Sequence, residues 1–202
     1  MRFFLLLVLL GISSPTLANH PGEQLNEVMA AKEDAFEAVD GPVPKLALRT
    51  AEGGELDLGA FADKIVVLSF VPEECGSACA EQQQLLVQVQ EDINVGPMQN
   101  MVTFVTVADS ARANPQQWDT VNWIAAIAAG ELVGQQANRM AKISARDRQA
   151  PMVHVLARGG RQAAVFHGAE FRPMNMLLYV NGLTNARIHK VSWLDWLLGW
   201  VS

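Results

Sequence analysis

Two continuous apolar runs dominate the hydrophobic pattern of the chain. Residues 65–70 (IVVLSF) and 102–107 (VTFVTV) have the length of strands and almost no polar interruptions, which predicts strands buried on both faces of a sheet. Shorter apolar segments at 46–48, 152–156 and 162–166 predict three further strands. The last two are joined by Arg158-Gly159-Gly160-Arg161, a tight turn that makes them a hairpin.

Apolar residues at helical spacing, and composition alone for residues 116–142, predict the remaining elements. The predicted helices cover 21–40, 77–92, 116–142 and 173–183. Strands that alternate with helices predict an α/β domain, with a central, mainly parallel sheet, flanking helices and a C-terminal β-hairpin. Gly41-Pro42-Val43-Pro44 ends the first helix and forms a short linker, so the main domain is expected to begin at residue 43.

The first 18 residues have the features of a signal peptide. Arg2 precedes an apolar run from Phe3 to Ile12, and small residues lead up to a cleavage site after Ala18. The run is shorter than the roughly 20 residues that a membrane span needs, although an uncleaved anchor is the alternative. We therefore expect a leader at 1–18, a helix and linker at 19–42, a main domain at 43–186 and a tail at 187–202, with the protein in the periplasm.

Composition and charge narrow the class of protein. The 202 residues are 50% apolar and 18% charged, which suits one globular domain. The formal net charge is −6, which disfavours nucleic acid as a partner and favours a basic protein surface.

The two cysteines, Cys75 and Cys79, are the strongest candidates for chemistry. They lie four residues apart, directly after the buried strand 65–70 and at the start of a predicted helix. Sites in α/β proteins gather at the carboxyl ends of strands, and a helix N-terminus favours a thiolate, although Glu73 and Glu74 oppose it. The pair suits thiol–disulfide exchange or a soft ion such as Cu(I). A structural disulfide on an inert scaffold is a third interpretation. However, a disulfide that closes so short a loop removes little entropy from the unfolded chain and therefore stabilises the fold only weakly.

The segment Phe70–Cys79, FVPEECGSAC, resembles the CxxxC region of the Sco/SenC proteins, thioredoxin-fold copper chaperones of cytochrome c oxidase assembly. Asp109 and Arg112 resemble the D-P-E-R loop of that family, and Gly159-Gly160 resembles the turn of its hairpin. The resemblance covers residues 43–185 and implies a thioredoxin-like fold. It also implies copper held by Cys75 and Cys79, and a partner that is either the copper-site subunit of the oxidase or another copper chaperone.

One position departs from the family pattern. The family carries a copper-binding histidine eleven residues before the hairpin glycine, where this chain has Gln149. His154 is the candidate replacement, although strand alternation favours a core or surface role for it, and His167 is held in reserve. Pro151 stands where thioredoxin-like reductases carry the proline that faces their cysteines. A thiol–disulfide oxidoreductase without copper is therefore the alternative function.

The C-terminal tail is rich in tryptophan. Trp193, Trp196 and Trp200 stand among leucines between residues 191 and 201. The tail either packs on the domain or contacts a membrane interface, and its lack of a Lys/Arg face favours packing.

Overall fold

A seven-stranded mixed sheet forms the centre of the computed structural model, which describes residues 24–109, 121–129, 132–146 and 151–185. The spatial order of the strands is β1-β7-β6-β3-β4-β5-β2. The strands are β1 (Phe36–Pro42), β2 (Leu48–Thr50), β3 (Ile65–Val71), β4 (Val102–Ala108), β5 (Trp123–Ala128), β6 (Met152–Ala157) and β7 (Arg161–His167).

Strands β3, β4 and β5 pair with one another in parallel. The hairpin β6–β7 joins the free side of β3 in the antiparallel direction, and β1 and β2 close the two edges antiparallel to β7 and β5. The α/β architecture with a C-terminal hairpin is as predicted. The sheet is mixed rather than mainly parallel, because four of its six strand pairs are antiparallel.

In the described segments four α-helices cover the sheet: α1 (Leu25–Lys32), α2 (Gly76–Asn94), α3 (Val133–Ala141) and α4 (Pro173–Asn185). Helices α1, α2 and α4 pack on one face, where Ile65 and Val67 of β3 are buried. Helix α3 packs on the other, against Val66 and Leu68. This two-sided burial explains the unbroken apolar run of β3. None of the helices in the described segments is long and apolar enough to cross a membrane.

The predicted helix 21–40 is wrong beyond residue 32. Helix α1 ends there because the buried carboxylate of Glu33 accepts hydrogen bonds from the Arg172 amide, at 2.9 Å, and from the Asn175 side chain at the start of α4. The chain then continues as β1, where Phe36 packs edge-on against Phe166 and Tyr179. The sheet therefore begins inside the segment predicted as a helix and linker.

The predicted helix 116–142 is also wrong in part. Residues 123–128 form β5 beside β4, and only Val133–Ala141 is helical in the described part of this segment. Alanine-rich composition suggests a helix, but Trp123 stacks on Phe104 across the two strands and donates its indole N–H to Thr106. These contacts fix the segment as a strand.

The other predicted elements are confirmed, with β2 displaced by two residues to 48–50. The expected leader at 1–18 and the tail at 187–202 lie outside the described residues.

Candidate redox site at the end of strand β3

Cys75 and Cys79 form a disulfide at the amino end of α2. Strand β3 ends at Val71, and a 3-10 turn over Glu73–Cys75 connects it to the helix. Gly76 follows with φ of 64°, a conformation that residues with a side chain rarely adopt, and it turns the chain into α2. The Cα atoms of the two cysteines lie 5.7 Å apart, within the usual range for a disulfide. The structure thus brings the two predicted cysteines together.

The two sulfurs differ in exposure. Cys75 is half-buried at the surface, whereas Cys79 is only 1% exposed. The Cys79 Sγ atom lies 3.6 Å from the carbonyl oxygen of Phe70. After reduction, the Cys79 thiol can donate a hydrogen bond to that oxygen and stay protonated. An incoming thiol or disulfide therefore meets Cys75 first.

Asp109 anchors the loop that leads to Cys75. It follows β4 directly, and its two carboxylate oxygens accept hydrogen bonds from the Glu73 amide and from the Val133 amide, each at 3.1 Å. Val133 begins α3, so one side chain joins the cysteine loop to that helix. The sequence identifies Asp109 only as part of a segment that resembles the D-P-E-R loop. Its position next to the cysteine loop could have been inferred from the two buried strands. Because β3 and β4 are parallel, the residues that follow them lie at the same edge of the sheet.

Carboxylates surround the disulfide. Glu73 and Glu74 are exposed next to Cys75, and a side chain Oε1 of Glu74 lies close to Gly134 on α3. A Cβ atom at position 134 would lie 3.0 Å from that oxygen. The absence of a side chain at Gly134 therefore leaves space for the Glu74 carboxylate in this position. Negative charge at this edge favours the approach of basic surfaces.

A cleft of about 300 Å³, here called the disulfide cleft, opens beside the two cysteines. Helix α3, the end of β3 and the start of β6 form its walls. Its apolar lining comes from Phe70, Pro72, Ala78, Ala137, Ala141 and Met152. Pro151 also lines it, as expected for the proline that faces the cysteines; its neighbour at position 150 lies outside the described residues.

His154 lines the same cleft but is 1% exposed. Its Nδ1 atom lies 3.1 Å from Oε1 of Gln162, whose Nε2 donates to the carbonyl of Pro42. That second bond orients the amide, so Nδ1 of His154 carries the proton and Nε2 carries the lone pair. Burial lowers the pKa of His154 to about 4, against a smaller opposing effect of the Gln162 hydrogen bond. The ring is therefore neutral at physiological pH.

His167, the reserve candidate, is engaged elsewhere. Its Nε2 atom lies 2.8 Å from Oε2 of Glu37 on β1. Burial alone would raise the pKa of Glu37, but hydrogen bonds from Ser144, the Ala145 amide and His167 outweigh it and lower that pKa. His167 thus ties β1 to β7 and not to the cysteines.

A three-ligand metal site is not assembled among the described residues. They contain no group of three or more His, Cys, Asp or Glu side chains placed to hold one ion. Gln149, which stands at the family's copper-histidine position, lies outside them. A soft ion would find two thiolates here once the disulfide is reduced, and His154 lines the same cleft.

No protein-family profile matches the chain, and no curated protein matches it in sequence. Solved structures do match. BsSco, a member of the Sco family of cytochrome c oxidase assembly proteins, shows a TM-score of 0.55 at 11% identity, over 75% of this chain and 98% of that one. Copper-bound yeast Sco1 shows a TM-score of 0.55 at 12% identity, over 76% and 98%. The thioredoxin domain of a Bacteroides vulgatus thiol-disulfide oxidoreductase shows 0.51 at 15%, over 74% and 99%.

Proposed function

We infer the function from a single premise: the chain has the predicted thioredoxin-like fold, which it shares with Sco proteins of known structure. Thiol–disulfide oxidoreductases share it as well. From this premise we propose that the protein is an exported thiol–disulfide exchange protein of the Sco type, which keeps the cysteines of a respiratory copper site reduced. One observation carries the proposal: the disulfide pairs an accessible Cys75 with a buried Cys79 at a helix N-terminus.

The exchange proceeds in two displacements. The Cys75 thiolate of the reduced chain attacks one sulfur of a client disulfide, and the client's other sulfur leaves as a thiolate. The Cys79 thiol then loses its proton to solvent and attacks the Cys75 sulfur, which releases the second client thiolate and forms the Cys75–Cys79 disulfide. Two electrons pass from the chain to the client, and an external dithiol must reduce the chain again.

The client is proposed to be the copper-site subunit of cytochrome c oxidase or another copper chaperone. BsSco belongs to a family that assembles this oxidase, and the same class of client is carried over here as a proposal. The expected leader at 1–18 would place the protein in the periplasm, where such cysteines oxidise. The carboxylates of Glu73, Glu74 and Asp109 suit a client whose cysteines are flanked by basic residues.

Trapping the mixed disulfide tests this function. Reduced Cys79→Ser is mixed with an oxidised peptide that carries the two cysteines of an oxidase copper-binding loop. We expect a stable Cys75–peptide adduct by mass spectrometry, because the resolving thiol is missing. The matched variant Cys75→Ser should form little adduct, since its remaining thiol is buried. Equal adduct in both variants, or none in either, would contradict the proposal.

Copper as cargo is the second candidate. The observation in its favour is that His154 shares the disulfide cleft with both cysteines and presents Nε2 as the unprotonated nitrogen. Two thiolates and an imidazole are a donor set that suits Cu(I). Titration of the reduced chain with Cu(I) against a chromophoric competitor should show one ion per chain, lost in Cys75→Ser/Cys79→Ser. Weaker binding in His154→Gln would identify His154 as a ligand, whereas unchanged binding would exclude it.

A further inference from the structure

A second and larger cleft, whose lining includes neither cysteine, lies elsewhere on the domain. It has a volume of about 750 Å³ and opens between the segment 43–62 and the face of the sheet that carries α3. We call it the basal cleft. Its apolar floor and walls come from Leu46, Leu48, Leu56, Leu58, Phe61 and Leu156. A volume of this size is in the range of pockets that hold drug-sized ligands, so it has room for several apolar side chains.

The charged residues at the rim of the basal cleft do not favour an occupant of either charge. Lys45 and Arg49 stand at its rim together with Glu55 and Asp57, so the two signs balance. A charged small molecule would find no field of one sign there. The apolar floor therefore decides what the cleft binds, and the occupant should offer large apolar side chains.

The last turn of α4 packs on the other face of the sheet, but a hydrogen bond ties it to the hairpin turn that borders this cleft. The Arg158 guanidinium donates a hydrogen bond of 2.9 Å to the carbonyl oxygen of Thr184, in the last turn of α4. The next residue, Gly159, lines the cleft and donates its amide to Ala62, another lining residue, at 2.7 Å. The chain that follows Asn185 thus leaves the described fold near the hairpin turn that borders the basal cleft.

The chain beyond α4 has the required chemistry and reach. Its last eleven residues before Ser202 contain Trp193, Trp196 and Trp200 with three leucines. Trp193 lies eight positions after Asn185, a span of about 26 Å when extended and about 12 Å when helical. Both lengths can reach a cleft bordered by the hairpin turn that the end of α4 contacts. We infer that the tail, residues 186–202, docks its tryptophans in the basal cleft of its own domain.

The outer side of α4 is the competing place on the domain. Met174 and Leu178 are 54% and 45% exposed there. They form a small two-residue apolar patch on a convex helix, whereas the basal cleft offers a concave apolar floor that buries more of each indole ring. The cleft is therefore the stronger site for the tail. This surface lies away from the cysteines, and the inference does not depend on the proposed exchange activity.

Amide NMR of the chain from residue 19 to 202 tests the docking. The triple variant Trp193→Ser/Trp196→Ser/Trp200→Ser should shift signals of basal cleft residues such as Leu46, Leu58 and Gly159. Signals around Cys75 and around Leu178 should stay in place. Shifts centred on α4, or no shifts in the folded domain, would overturn the inference.

A variant pair gives an independent readout in case the triple variant unfolds. Leu58→Glu places a charge in the half-exposed wall of the basal cleft, and Leu178→Glu places the same charge on α4. Leu58→Glu should shift the tryptophan emission to longer wavelength and increase its quenching by acrylamide, while Leu178→Glu should leave both unchanged. Equal effects, or an effect of Leu178→Glu alone, would contradict docking in the cleft.

Phosphatidylglycerol vesicles test the membrane alternative. Sedimentation of the parent chain with the vesicles, together with tryptophan emission that is insensitive to Leu58→Glu, would overturn the proposal.

Discussion

His154 is a titratable side chain that the fold keeps uncharged beside the disulfide. Burial lowers its pKa from the ordinary value of 6.5 to about 4. Below pH 6.5 the unfolded chain takes up a proton at this residue that the folded chain does not bind until the pH approaches 4. Stability should therefore fall as the pH decreases through this window.

The expected loss can be measured by urea unfolding. Between about pH 7 and pH 5 the free energy of unfolding should fall by about 2 kcal/mol through His154, and His154→Gln should remove that part of the dependence. Glu37 does not interfere, because its pKa is lowered from 4.5 and its contribution is lost only below that pH. An unchanged slope in His154→Gln would show that the imidazole is charged or accessible in the folded protein.

The cysteines were predictable at the residue scale, and their supporting residues were not. A four-residue spacing after a buried strand is visible in the sequence, so Cys75 and Cys79 could be named from it. The hydrogen bond between His154 and Gln162 joins residues eight apart across the hairpin. Which residue lies within reach of His154 depends on the register of β6 and β7. No periodicity in the sequence specifies that register, so the state of His154 emerges only from the fold.

At the scale of elements, Asp109 joins the cysteine loop to the start of α3. Asp109→Ala removes the acceptor for two backbone amides and should lower the free energy of unfolding by about 1–2 kcal/mol. It also removes a negative charge near Cys75. The reaction of the Cys75 thiol with a chromogenic disulfide, measured in the Cys79→Ser background, should therefore become faster.

Asp57→Ala is the matched control for this variant. Asp57 caps a short 3-10 helix by accepting the Gly59 amide at 2.8 Å, at the end of the molecule away from the cysteines. It should cost some stability without changing the rate at Cys75. If both variants changed the reaction rate at Cys75 equally, the change would reflect a general loss of stability. Asp109 would then have no specific role in the site.

The edge strands show where pattern analysis reaches its limit at the element scale. Strands β3 and β4 are buried on both faces, so their apolar runs identify them without knowledge of their neighbours. Residues 36–40 belong to a segment with the spacing of an amphipathic helix, and residues 123–128 have the composition of a helix. Both became strands because β7 and β4 offered unpaired edges. Local propensity is a weak preference, and tertiary pairing overrides it.

At the scale of the whole molecule, the disulfide and the core make separate contributions to stability. Two apolar layers, one on each face of the sheet, hold the domain together without either cysteine bridging them. The disulfide closes a loop between residues only four positions apart, for which the chain-entropy relation gives about 2 kcal/mol. Both redox states should therefore be folded, as a protein that cycles between them requires.

Urea unfolding of the oxidised chain, the reduced chain and Cys75→Ser/Cys79→Ser tests this independence. We expect the last two to unfold cooperatively, with free energies of unfolding lower than that of the oxidised chain by about 2 kcal/mol or less. The double variant separates the loss of the cross-link from any effect of the reductant. Unfolding of the domain on reduction would instead make the disulfide a structural element, and would favour an inert scaffold over a protein that exchanges disulfides. A folded reduced state leaves the two sulfurs free to act, with Cys75 half-buried at the surface and Cys79 buried, at the end of a strand that remains in place.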